Sequence, residues 1–202
     1  MKFSEDIQTL LPLGYLYLVI LGILKESFFY YQFGINILKY STIMDILISP
    51  IAEFTSNPIT LVLIIVLFSF HFYLPKLLLK HRENKTVQKT FELKSTAELS
   101  QQEAKNYYNL ISFKIFAIVL LSFFMGTGVG SGYFTLKNIK NNKAKYDYKV
   151  NYNSGESEQI CLIGSNSIYY FYTVKGSKNM KMVPISAVKS VEKRIKGNFL
   201  SK

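Results

Sequence analysis

Three apolar blocks constrain this chain more than any other feature. Leu10 to about Gln32, Pro58 to about Leu79, and Leu110 to Phe134 are each long enough to cross the roughly 30 Å hydrocarbon core of a bilayer at about 1.5 Å per residue. A helix that is apolar all round must be buried in a large core or in lipid. A chain of 202 residues with 49% hydrophobic and 18% charged residues has no core large enough for three of them. The start, MKFSEDIQTL, lacks the basic beginning of a secretory signal. No small-residue cleavage site follows the first block, so that block is expected to stay as a membrane helix.

Charges interrupt the first block at Lys25 and Glu26. Adjacent helical residues point about 100° apart, so the two are not natural partners. Either the span ends near Leu24 with the pair in the interface, or the pair is intramembrane charge and hence a functional site. Residues 33–54 carry Lys39, Asp45 and Glu53, which suits an interfacial amphipathic helix or a re-entrant hairpin better than a free-standing span.

Thr55-Ser56-Asn57-Pro58 reads as a helix start, a capping side chain followed by proline at the first helical position, and Pro75 is expected to kink the span that follows. Residues 76–108 form a polar helical loop. Within it, Ser100-Gln101-Gln102-Glu103 is a capping box that should begin a helix running on into the third span.

After Lys137 the periodicity changes to two. YDYKVNY, SEQICLI, IYYFYTV, MKMVP and VKSVEKRI read as short strands, separated by the turn-rich NSGE, GSNS and KGSKN. Ile185 to Ala187 leaves room for one helical turn. The pattern is similar to an SH3-like or Sm-like small barrel and transfers no site residue. The predicted organisation is therefore an α-helical integral membrane domain, 1–137, with three firm spans, followed by a small basic all-β domain, 138–202.

The formal charge of +11 is concentrated at the end: residues 134–202 hold 13 Lys/Arg against 4 Asp/Glu, a surplus of 13 − 4 = +9. Such a surplus suits an anionic partner or, equally, a solvated basic domain. Cys161 is the only cysteine, so neither an intrachain disulfide nor a cysteine metal cluster can form. If three helices cross, the 76–108 loop and the β domain lie on opposite sides. If residues 33–54 also cross or re-enter, both termini can share a side. The basic surplus and the free thiol point to a cytoplasmic β domain on a multi-pass membrane protein.

Enzyme chemistry finds no support. His71 and His81 form no metal-ligand pair at helical spacing, and Ser165 and Ser167 in GSNS lack the strand-turn-helix setting of a nucleophile elbow. No catalytic residue, metal site or cofactor is assigned.

The glycine-rich FFMGTGVGSGYF, Phe123 to Phe134, ends an apolar helix, which excludes a phosphate loop on context. Gly126 with Gly130, and Gly128 with Gly132, instead form two GxxxG seams on nearly opposite flanks. Thr127 and Ser131 fall between them, and Met125 and Val129 fall on the far side. A ring of such helices would pack through both seams and turn the two hydroxyls toward a narrow pore. Alternatively, both seams serve contacts within the chain and the hydroxyls bond their own backbone, or the segment is a non-helical filter.

In IYYFYTV both strand faces are aromatic, Tyr169 and Phe171 on one, Tyr170 and Tyr172 on the other. One pair is core. Tyr170 and Tyr172, with Lys175, Lys178 and Lys181, are the candidates for stacking on and neutralising an anionic ligand, an oligonucleotide or nucleotide. Contact of the second face with membrane or a neighbouring subunit is the alternative.

Small membrane spans ending in a basic β module with LIGSNSIYYFY resemble uncharacterised bacterial membrane proteins and the pore-forming effectors of anti-phage defence of the Hailong type. That resemblance implies a homo-oligomeric ion channel controlled by a nucleic-acid-type ligand, with growth arrest through membrane depolarisation. It carries over no individual gating or binding residue. The alternative class is a non-conducting membrane anchor or assembly factor whose β domain holds a partner protein.

Overall fold

A computed structural model describes residues 2–81, 84–91, 100–177 and 179–194, with backbone alone for 2–7, 9, 10 and 90. Five α-helices precede five strands: α1 Lys2–Tyr31, α2 Ile43–Ser56, α3 Pro58–Lys80, α4 Lys85–Thr90 and α5 Gln101–Lys140, then β1 Tyr148–Tyr152, β2 Ser157–Ser165, β3 Tyr169–Val174, β4 Met180–Pro184 and β5 Val188–Lys193. A single 3-10 turn, Ile37–Lys39, separates α1 from α2, and another, Ile185–Ala187, separates β4 from β5.

Three helices are long and apolar enough to cross a membrane, over Leu11–Tyr31, Pro58–Lys80 and within Gln101–Lys140. Their apolar side chains face outward: Leu13, Phe72, Ile118 and Phe134 are each more than 60% exposed. The helix at Lys25 and Glu26 does not break, so α1 carries both charges inside its apolar length. At about 1.5 Å per residue α2 is about 21 Å long, too short to span.

Helix starts follow the capping residues. Asn57 Oδ1 accepts the Ile59 amide at 3.1 Å, and Ser100 and Glu103 exchange bonds, Ser100 N to Glu103 Oε2 at 2.9 Å and Glu103 N to Ser100 Oγ at 3.3 Å. From there α5 runs unbroken through the third apolar block. It ends at Asn142, in the left-handed region at φ 56°, where the Lys143 amide reaches back to Asn138 O at 2.8 Å and that of Asn142 to Ile139 O at 3.1 Å. This is a Schellman closure with asparagine where glycine is commonest.

The chain divides into two compact units, residues 1–50 with 124–202, and Ile51–Phe123. In the second unit α3 and the first half of α5 run antiparallel. Leu74 and Leu78 pack with Ala104 and Tyr108, and the rings of Phe68 and Phe116 lie 4.8 Å apart. Ser112, fully buried, donates to His71 O at 2.9 Å and lies 3.0 Å from His71 Nδ1, so this histidine is a satisfied packing residue.

In the first unit the strands form one antiparallel sheet, ordered β4-β3-β2-β1-β5. Register shifts at Asn151/Tyr152 and Leu162/Gly164 bend it. It curls far enough that residues of all five strands, among them Val150, Ile160, Tyr172, Val183 and Val191, share one core. The closed barrel expected from the strand pattern is not formed. β5 pairs with β1, β4 pairs with β3, and no ladder joins β4 to β5. β4 ends in Pro184, which has no amide to donate.

Candidate functional site

The two glycine seams of α5 meet different surroundings. A β-carbon at Gly128 would overlap the Lys25 carbonyl of α1, and one at Gly132 would stand 2.8 Å from the Phe29 carbonyl. Lys25 and Phe29 are one helical turn apart, as are Gly128 and Gly132, so α1 and this half of α5 run parallel and pack backbone to backbone. A β-carbon at Gly126 or Gly130 would meet no atom of the described residues within 4 Å outside its own helix backbone. Gly126 is exposed and Gly130 half-buried, whereas Gly128 and Gly132 are buried.

The segment is helical throughout, which removes the non-helical filter. Thr127 Oγ1 donates to Phe124 O at 2.8 Å, and Ser131 Oγ to Thr127 O at 2.5 Å. Both hydroxyl protons go to their own helix.

Lys25 and Glu26 do pair, contrary to the expectation from adjacent positions. Their Nζ and Oε1 atoms are 3.4 Å apart. The reason is a third residue: Ser49 of α2 accepts from Lys25 Nζ at 3.2 Å and donates to Glu26 Oε1. Long side chains that point about 100° apart can bend toward a common partner placed between them. The pair, 14% and 20% exposed, thus fastens α2 to α1. Nearby, a β-carbon at Gly22 would overlap the Ile46 carbonyl, so α2 crosses α1 at close range.

The β2–β3 turn is fastened to the start of α2. Asn166 Nδ2 donates to Tyr40 O at 2.9 Å and to Ser41 Oγ at 3.1 Å, while its Oδ1 accepts the amides of Ile168 and Tyr169. Ser167 gives its amide and its hydroxyl to Asp45, at 3.0 and 2.9 Å. Asp45 also caps α2 through Thr42, whose amide and hydroxyl donate at 2.8 and 2.7 Å. Burial pushes the Asp45 carboxyl up, but these four bonds outweigh it and hold the group below its ordinary range. The serines of GSNS therefore belong to a structural turn.

Neither aromatic face of β3 is open. Tyr169 and Phe171 pack on Tyr30, Ile35, Ile37 and Tyr40, with the Tyr30 and Phe171 rings 4.9 Å apart, and the Tyr30 hydroxyl occupies the space a side chain at Gly164 would need. Tyr172 is fully buried in the sheet core and Tyr170 packs against it. This corrects the expectation that Tyr170 and Tyr172 present a stacking surface: the curl of the sheet encloses them.

Lys181 is committed as well. Its ammonium lies 2.5 Å from Glu158 Oε1, and Glu158 also accepts from the Tyr152 hydroxyl, which is bonded to that of Tyr172. Burial raises the Glu158 carboxyl, but the bonds from Lys181 and Tyr152 hold it below its usual range. The same contact raises Lys181. Lys175 is exposed on the β3–β4 turn. Lys178 lies outside the described residues.

No family model, curated protein or solved structure matches this chain. Function therefore rests on the geometry alone.

Among the described residues no three His, Cys, Asp or Glu side chains gather in metal-binding range. No buried polar side-chain atom of the described residues lacks a partner. The sheet is fastened to α1 by Tyr30 and Phe171 and to α2 by Asp45 and Ser167, and α1 in turn packs on α5 at Gly128 and Gly132. Sequence reasoning missed Ser49, Asn166 and Asp45 as joints. Two signals were present, a Thr42-to-Asp45 capping spacing and a serine isolated in the apolar ILISPI.

Proposed function

We propose that this chain is a homo-oligomeric, multi-pass protein of the bacterial inner membrane, in which α5 helices of neighbouring copies meet through Gly126 and Gly130 and surround a gated pore. The observation that carries the proposal is the open Gly126/Gly130 seam beside a filled one. Gly128 and Gly132 already bring a helix into backbone contact on one flank, and the same spacing on the other flank suits a second copy. Apolar side chains exposed all along α1, α3 and α5 are what lipid requires of a spanning helix.

Thr127 and Ser131 lie between the two seams and would line the path. A hydroxyl that gives its proton to the helix keeps acceptor lone pairs, which suits passage of water or a cation. The basic sheet is the controller, binding an anionic ligand with different affinity in closed and open rings. Its attachments to α1 and α2 supply the route by which such binding reaches α5. Three crossings put the sheet on one face and the loop after α3 on the other. We place the sheet in the cytoplasm, where its +9 surplus and single thiol are at home.

Single-channel recording of the reconstituted protein tests the reading, which expects discrete steps of current. A second reading, a non-conducting anchor whose β domain holds a partner protein, is favoured by the Thr127 and Ser131 hydroxyls bonding their own backbone. It expects a silent bilayer.

A further inference from the structure

Four cations that form no ion pair with a described residue meet in one groove. Lys145, Lys175, Lys193 and Arg194 line it together with Asp147 and Gln159. Four cations less one carboxylate leave the lining at +3, and none of the four forms an ion pair with a described residue. The groove is built on fixed backbone. Gln159 Nε2 donates to Tyr146 O at 2.8 Å and the Arg194 amide to Asp147 O at 2.7 Å, which ties the α5–β1 linker to β2 and to the end of β5. Gly176, at φ 83°, turns the chain so that Lys175 stands on the opposite wall. Lys193 Nζ sits 5.4 Å from the Tyr148 ring centroid.

The groove begins where the third apolar helix ends. Phe134 closes the apolar run, and the eight residues from there to Asn142, helical for most of that length, rise by about 12 Å. A headgroup layer is roughly 5–7 Å deep, so the groove stands about 5 Å above it, within the roughly 8 Å over which the surface charge of the lipid acts. Lys137 and Lys140 fall within this stretch and Lys143 and Lys145 directly after it, the juxtamembrane density of basic residues that attracts anionic lipid.

Base recognition, by contrast, has little to work with. Both aromatic faces of β3 are covered, and the groove offers one half-buried ring, Tyr146. Phosphate can be bound here without a base.

We propose that this groove binds the phosphate of an anionic lipid headgroup at the bilayer surface. The inference rests on the membrane reading of α1, α3 and α5 and names the anion the sheet takes. It does not depend on conduction. Bound to a headgroup, the sheet is held to the membrane at the point where α5 leaves it, and a change in local lipid charge becomes a signal the sheet can transmit.

The test is native mass spectrometry of the full chain with phosphatidylglycerol and with phosphatidylcholine. It compares a groove variant, Lys175→Gln/Lys193→Gln/Arg194→Gln, with a variant losing equal charge elsewhere, Lys85→Gln/Lys89→Gln/Lys105→Gln. At roughly fivefold per juxtamembrane cation, the groove variant should hold phosphatidylglycerol about 100-fold less tightly, with the control unchanged. Equal retention by wild type and groove variant, or equal loss in both variants, overturns the proposal.

If the triple variant does not fold, Arg194→Gln alone should lose roughly fivefold, and no loss would be decisive against the site. ATP bound in lipid-free micelles as tightly as phosphatidylglycerol, and through the same three cations, would replace the lipid with a free phosphate ligand. Lipid retention in a protein that passes no current would sink the pore and leave this site standing.

Discussion

Gly128 of α5 lies against the Lys25 carbonyl of α1, so closely that no β-carbon fits between them. Two positions away, at Gly126, a β-carbon would meet open space. Alanine at 128 should therefore force α1 away and cost about 1–3 kcal/mol. Alanine at 126 should leave the isolated chain equal or better by up to about 1 kcal/mol, because glycine is the poorer helix former. Thermal unfolding in detergent, at a dilution where the chain is monomeric, gives the comparison. Equal shifts for the two substitutions would contradict the packing described.

The Asp45–Ser167 joint predicts a local effect with a defined pH range. Asp45→Ala removes the acceptor of four hydrogen bonds and the cap of α2, a loss of about 1 kcal/mol or more. Amide exchange should rise at Thr42 and Ser167 while the β1–β5 ladder stays protected. Because the folded carboxyl is held below its ordinary value by Thr42 and Ser167 against the opposing effect of burial, its contribution is complete above about pH 3.9. It is lost only as pH falls through the lower folded value. A Ser167 protection factor, the exchange rate corrected for its intrinsic rise with pH, that fell between about pH 5 and 7 would be inconsistent with this joint.

Glu158 and Lys181 bracket the stability of the sheet from both sides. Glu158 is lowered in the folded state, burial opposing and the bonds from Lys181 and Tyr152 prevailing, so its part is present above about pH 4.3 and disappears in acid. Lys181 is raised by the same contact, so its part is present below about pH 10.4 and disappears as pH climbs through the folded value. The sheet should melt at a constant temperature between roughly pH 5 and 8, with loss setting in above about pH 8.5 because burial raises the folded Cys161 thiol as well. Lys181→Gln should flatten the alkaline edge and weaken the acid one.

Three apolar helices, the Ser100–Glu103 start of α5 and the turn at Ile185–Ala187 were legible in the sequence, because run length, capping chemistry and turn residues act locally. The two seams were legible as seams but not as filled and open, since Gly126/Gly130 and Gly128/Gly132 have the same spacing and only α1 distinguishes them. Lys25 and Glu26 looked unpaired because their common partner, Ser49, stands on another helix. The pattern of five short strands is the same for an open curl as for a closed barrel. Tyr172, assigned from sequence to a stacking surface, is core, and with both faces of β3 aromatic only the curl of the sheet tells which is enclosed. The basic groove gathers Lys145, Lys175, Lys193 and Arg194 from a linker, a turn and the end of β5, and no linear motif records that.

The Lys25–Glu26 pair gives a further prediction. Glu26→Gln removes the negative charge opposite Lys25, leaving only a neutral amide oxygen to accept from Lys25 and Ser49, and should destabilise α2 against α1 by about 1–3 kcal/mol, whereas Lys25→Met/Glu26→Leu together should lie closer to wild type. Ser49→Ala should weaken the same contact and leave the β sheet unaffected. Unfolding in micelles, read by the double-mutant cycle, decides it. Simple additivity of the two single losses would mean that the charges do not act as a unit.

The central claim, that the open glycine seam joins copies around a conducting path, meets its most direct test in Gly126→Leu/Gly130→Leu. Oligomer size by mass photometry and current across a planar bilayer are measured on the same preparation. The account predicts a folded monomer that passes no current, beside a wild-type oligomer that does. A leucine variant that remains oligomeric and conducts as the wild type does would contradict it.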